Sequence, residues 1–201
     1  MEDLMFHSLK ELELQQSDYS TYITSLKEIY ADMDRKYIEA VAYYIMDCTG
    51  CLDSCCLTRF YHHTIIEYLY LLEGFNSLAI DKRTEIRQRA VEVCEKTVDS
   101  EGKGTPIRIM CPLNIDGLCT IYEYRPMICR MHGIPHELRK PGCSPVKSPG
   151  CNTFLKIFEE KDYYPFDRTS FYLNMAQLEK RLRQSIGIVE KFKMTVAEML
   201  L

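Results

Sequence analysis

Apolar positions recur at spacings of three and four along much of the chain. Between residues 19 and 46 the stripe runs through Tyr22, Ile23, Leu26, Ile29, Tyr30, Met33, Tyr37, Val41, Tyr44 and Ile45. That is the period of one helix face, with Asp18 placed as an N-cap. Leu4, Met5, Leu9 and Leu12 predict a shorter helix over 3–16. Residues 57–73 read as another, closed by Gly74 just past its end. Residues 82–98 follow Asp81 as cap, with Ile86, Ala90, Val93 and Cys94 on one side. Helix resumes over 151–160, and 168–200 reads as one long amphipathic helix through Tyr172, Leu178, Leu182, Ile186, Val189, Phe192, Val196 and Leu200.

The segment 99–150 breaks this pattern with Gly and Pro at close intervals. Residues 107–113 and 118–124 can pair as a short hairpin around Asn114-Ile115-Asp116-Gly117, whose residue types suit a turn. Arg125-Pro126 then opens a short helix carrying Cys129 and His132. The expected architecture is mainly α, with a small loop-rich cysteine site containing a short β-hairpin. N-terminal helices over 1–47 and C-terminal helices over 156–201 flank a cysteine-rich segment over 48–155, all in one compact unit.

At 201 residues, 46% hydrophobic and 27% charged, the chain is long enough to bury a core. A net charge of -4 gives no basic excess, so nucleic acid is not an expected partner. No apolar run reaches the roughly 18–20 residues of a membrane span. The first residues carry no basic n-region, apolar h-region or cleavage site. A cytoplasmic, reducing setting is therefore expected.

Ten cysteines change the picture. In a reducing compartment they read as metal ligands before disulfides. Cys48, Cys51, Cys55 and Cys56 fall within nine residues, and Cys111, Cys119, Cys129, Cys143 and Cys151 follow between 111 and 151. Cys48-x-x-Cys51 has chelating spacing, and thiolates are the soft ligands of zinc and iron–sulfur clusters. Adjacent side chains tend to diverge, so Cys55-Cys56 serves two centres, or one centre and its surroundings, or a vicinal disulfide. Cys111 and Cys119 sit at the two ends of the expected hairpin. Cys94 on its apolar stripe reads as a core thiol, whereas Cys143 stays open between ligand, redox thiol and spare. His132, three residues past Cys129, is a further candidate ligand. His62 and His63 read as a packed or solvated pair on a helix. Tyr122 is expected to pack beside the hairpin, and Glu123 to pair with Arg125 or Arg130.

The strings CTGCLDSCC and CPLNIDGLCTIYEYRPMICR, then SPGC opening a helix, resemble the bacterial and archaeal cysteine-cluster family of zinc- or iron-chelating domain proteins. The resemblance covers about 48–155. Its hallmark is CxxCxxCC followed by CP-L-G-C-IYE-RP-CR; this chain has three residues between Cys51 and Cys55 where the hallmark has two. The resemblance implies eight metal ligands: Cys48, Cys51, Cys55, Cys56, Cys111, Cys119, Cys129 and Cys151. It implies metal or cluster binding and says little about a reaction. Eight thiolates are strongly anionic, and Arg125 and Arg130 offset part of that charge. Uneven loops and the vicinal pair favour iron–sulfur, as one or two [4Fe–4S] clusters, over structural zinc.

Three functions follow as expectations. One is an iron–sulfur protein in electron transfer, an oxidoreductase or an accessory to a redox enzyme. Another is a zinc-binding structural or chaperone module that docks a protein partner through its amphipathic helices. The third is a thiol redox enzyme using Cys51, Cys55 or Cys143.

Overall fold

The stripe over 19–46 forms α1 (Ser20–Tyr44), which buries Ile23, Leu26, Tyr30, Met33, Ala40 and Tyr44. The computed structural model describes residues 19–46, 55–104, 107–140, 142–158 and 161–201. Asp18, Cys48, Cys51 and the helix expected over 3–16 lie outside the described residues. Ile45 closes α1 in the left-handed region (φ 55°), which a β-branched residue rarely adopts.

The next helix starts later than its apolar run. Cys55–Leu57 make a 3-10 turn, and α2 spans Ile65–Asn76. Between them the backbone pairs at long range: His62 N donates to Met194 O at 2.8 Å and Met194 N to His62 O at 3.1 Å. The two histidines are therefore not helical. Nor does Gly74 end the helix. A Cβ there would lie 2.3 Å from the Tyr124 ring, so glycine is required by close packing and not by a cap. Every residue from Ile65 to Leu72 is buried, as expected of a helix apolar on all sides.

Within that run Glu67 is buried too. A second buried carboxylate, Glu179, accepts from Ile65 N at 2.9 Å and Ile66 N at 3.1 Å. It thereby satisfies two of the donors that a helix start leaves open.

α3 spans Ile80–Gly102, with Ala79 and not Asp81 at its N-cap. Asp81 sits in the first turn, where a negative charge still suits the helix dipole. The first hairpin is tighter than expected. β1 (Asn114–Ile115) pairs antiparallel with β2 (Leu118–Cys119), so β1 occupies residues that read as turn while β2 falls within the expected second strand. Asp116 and Gly117 carry the reversal, with φ of 52° and 86°. A two-residue Asp-Gly connection of that kind matches the twist of the flanking strands.

α4 is Met127–Arg130, with Pro126 at its N-cap; it carries Cys129 but stops before His132. A second hairpin, β3 (His136–Leu138) with β4 (Val146–Ser148), was not foreseen. α5 is Asn152–Phe158. The expected 168–200 helix is broken. α6 (Thr169–Ile186) closes at Gly187 with φ 72°, and α7 (Val196–Met199) follows an extended stretch and a Thr195/Glu198 capping box.

α1 packs on α6, α2 and α4; α2 packs on α6, and α3 on α7. The apolar stripes of α1 and α6 are thus used against each other. The fold is mainly α, as expected, with two small antiparallel hairpins where one was expected. No helix among the described residues is long and apolar enough to cross a membrane.

Candidate metal centre

α4 is a single turn, too short to persist alone. The structure holds it at both ends. Glu67 Oε1 accepts from Met127 N at 2.7 Å, which anchors the start of α4 to α2. The same oxygen accepts from Tyr30 Oη at 2.9 Å, and Oε2 accepts from Thr64 Oγ1 at 2.6 Å. At the other end Arg130 is buried. Its Nη1 donates to Asp34 Oδ2 at 2.6 Å and its Nε to Arg125 O at 2.8 Å. Its Nη2 donates to Glu123 O, and the guanidinium lies 4.2 Å from the Tyr30 ring centroid. Cys129 is therefore presented by a turn that is tied to α1 and α2.

One expectation for the IYE-RP-CR string is sharpened and one corrected here. Tyr122, three residues past β2, is 56% exposed, and Arg125 stacks on its ring 3.3 Å from the centroid. Glu123 serves Arg130 through its backbone carbonyl. Tyr122 O in turn accepts from Arg125 Nε at 2.8 Å. The charged pairing at this corner is thus Arg130 with Asp34, a residue of α1.

One cavity of about 1010 Å³ is lined by Cys55, Cys56, Cys94, Cys111, Cys119, Cys129 and Cys151. Six of these seven belong to the set that the resemblance implies. They come from separate segments: the 3-10 turn after α1, the first hairpin, α4, and the residue before α5. Cys111 N donates to Cys56 O at 2.8 Å, which joins the first cysteine segment to the hairpin. Cys151 N donates to Gly133 O at 2.8 Å, and its Sγ accepts from Phe154 N at 3.4 Å. No disulfide joins the eight described cysteines.

The thiols act on one another electrostatically. Cys111, Cys119 and Cys56 each raise the pKa of Cys129, although burial is the larger cause. Burial likewise raises Cys119 and pushes Cys111 up to about 12. Cys55 is pushed up first by its hydrogen bond with Cys56 and then by burial. Arg125 opposes the rise at Cys55, Cys119 and Cys129. These sulfurs open on the cavity but are otherwise surrounded by protein, so the neutral thiol is favoured until a cation replaces the proton. Among the described residues no three His, Cys, Asp or Glu side chains stand as a ready group for one metal ion.

His132 also lines the cavity, with its ring edge-on to Phe60 at 5.3 Å between centroids. Its carbonyl accepts from Tyr37 Oη at 2.6 Å, so α1 holds this stretch too. Cys143 is exposed between β3 and β4 and is absent from the cavity wall. Cys94 packs against the core as expected, yet it also lines the cavity.

Sequence reasoning passed over Glu67, Glu179 and Asp34. Glu67 did carry a signal. A lone carboxylate inside IIEYLYLL must be paired if that helix is buried. Neither a family model, nor a curated protein, nor a solved structure matches the chain.

Proposed function

We propose that this chain is a metal-binding cysteine-cluster protein. In this reading the cavity thiols carry iron–sulfur and serve electron transfer or support a redox enzyme. One observation carries it: Cys55, Cys56, Cys111, Cys119 and Cys129, from three segments, line one cavity and shift one another's pKa. The five thiols are half-buried, and desolvation opposes their reactive thiolate form. A cationic centre reverses that balance by taking them as thiolates.

Cys151 lines the same cavity, and the resemblance adds Cys48 and Cys51 from outside the described residues. Arg125 supplies positive charge beside three of the sulfurs. When bound, an iron–sulfur cluster supplies one-electron transfer. The uneven ligand segments and the vicinal pair favour it over zinc. Exposed Ile38, Val98, Ile107, Leu118 and Tyr122 border the cavity and give a redox partner an apolar approach.

The test is anaerobic purification followed by iron, sulfide and zinc analysis. A brown protein with equal iron and acid-labile sulfide, lost in Cys129→Ser and Cys111→Ser, supports the reading. Zinc without sulfide overturns the iron–sulfur assignment. A protein that takes up neither metal overturns the whole reading.

A further inference from the structure

The cavity wall reaches well past the ligand thiols. Val41 of α1, Phe60, Val93 of α3, Ile109, and Val196 and Ala197 of α7 line it with hydrocarbon side chains. All six are buried or half-buried, behind the exposed rim. At about 1010 Å³ the cavity stands at the upper end of the roughly 300–1,000 Å³ of pockets that take small organic molecules. A cluster held by four thiolates is a compact group of metal and sulfide atoms and leaves room beside it.

His62 adds a polar group to this wall. It is 3% exposed, and its Nε2 meets no hydrogen-bond partner. Backbone bonds fix its place: His62 and Met194 exchange both N–H donors, and Met194 directly precedes Thr195, the N-cap of α7. Burial lowers the pKa of the ring, against the opposing pull of Glu67, so the imidazole is neutral at pH 7. A buried polar atom left open in a native fold calls for a partner.

The charged groups on the wall are matched or stand at its edge. Arg130 donates to Asp34 at 2.6 Å, Arg59 pairs with Glu101 at 2.8 Å, and Glu198 accepts from Thr195 N at 2.6 Å. Arg125 stacks on Tyr122, and Asp116 and Glu123 are exposed. Charge therefore does not select an occupant here.

We propose that this part of the cavity binds one uncharged, mainly apolar organic molecule whose single polar group hydrogen-bonds to His62 Nε2. The hydrocarbon wall supplies the affinity, and the lone imidazole sets the orientation. The inference does not depend on the thiols binding metal.

Nile red, an uncharged flat dye with one ring carbonyl, is the probe. The full chain as purified is titrated with it, and metal content is read separately on the same sample. Saturable one-to-one binding with blue-shifted emission is expected. Val93→Trp fills the wall and should weaken binding by at least about 10-fold. His62→Phe keeps the backbone pair with Met194 and should weaken it by about 2- to 10-fold. His62→Gln, which restores an N–H donor, should recover part of that loss. Ile80→Ser alters an exposed residue of α3 that does not line the cavity and should leave the Kd unchanged. A Tm for each variant checks that it folds, and Val41→Phe replaces Val93→Trp if that chain does not. Absence of saturable binding overturns the proposal. So does a Kd unchanged in His62→Phe or in the folded cavity-filling variant, or one weakened as much by Ile80→Ser.

Discussion

Two buried polar regions lie side by side and solve the same problem in opposite ways. Around the start of α2, each buried charge has fixed protein partners. Glu67 accepts from Tyr30, Thr64 and Met127, and Glu179 accepts from Ile65, Ile66 and, at 2.5 Å, Arg183 Nε. Arg130 is held by Asp34 and two carbonyls. In the thiol cavity next to it, the buried groups answer mainly to one another, and burial keeps them protonated. Oxygen and nitrogen are matched within the chain, while sulfur is gathered without a cation. A fold that satisfies the first set so fully does not gather the second by poor packing. On the proposed reading the paired region is a scaffold, and the thiol region takes a metal that the chain does not itself supply.

The sharpest way to break this contrast is to remove one group from each side. Glu67→Ala orphans Tyr30 Oη, Thr64 Oγ1 and Met127 N, and loosens α4 from α2. We expect a loss of about 3–5 kcal/mol in denaturant unfolding of the metal-free protein. Cys129→Ser replaces sulfur by oxygen at nearly the same volume. In the same assay it should cost less than about 1 kcal/mol, while metal content falls steeply. If Cys129→Ser destabilises the metal-free chain as much as Glu67→Ala does, the cavity thiols are structural and the contrast fails.

The sequence announces one region far better than the other. The cysteines stand out because ten thiols crowd the middle of one chain. Six of the eight cysteines that the resemblance implies line one cavity, together with Cys94, which packs against the core as read. Glu67 and Glu179 look like ordinary helix carboxylates, since a one-dimensional pattern does not say which helix is enclosed on every side. The same limit explains the element errors. The run after Cys56 is apolar enough to be helical, but a backbone bridge from His62 to Met194 claims its first part. Gly187 did carry the signal that splits the C-terminal stripe, but continuing apolar positions masked it. The second hairpin has strands of three residues, too short for alternation to show.

A smaller effect sharpens the contrast through pH. The thiols of Cys111, Cys119 and Cys129 have folded pKa values above the ordinary thiol value near 8.5, by burial. Between those two values the folded state holds more protons than the unfolded one. The stability they contribute is therefore full below about pH 8.5 and is lost as pH rises toward about 12 for Cys111. We expect the metal-free protein to lose up to about 1.4 kcal/mol per pH unit per thiol above pH 8.5, read from urea midpoints. Metal uptake runs the other way, because each ligand must release its proton. Affinity at these thiols should rise from pH 6 to pH 8. In the paired region Tyr30, raised by burial, adds a loss of the same sign only above about pH 10, so a metal-free stability that is flat between about pH 8.5 and 10 would place the thiols outside the buried setting described here.

The smallest expected effect belongs to Cys143, which makes it the control. It is exposed and stands off the cavity wall, while its backbone N donates to Lys140 O at 3.1 Å in the turn between the strands. Replacing its sulfur leaves that backbone bond intact and uncovers no buried partner. Cys143→Ser should thus change stability by less than about 0.5 kcal/mol and leave metal content at the wild-type level. In the metal-free chain its alkylation should be fast, whereas Cys111, Cys119 and Cys129 react slowly because burial holds them as thiols. Loss of metal in Cys143→Ser would mean that the exposed hairpin folds onto the cavity when metal is present. The division between a gathered set and a bystander would then have to be redrawn to include it.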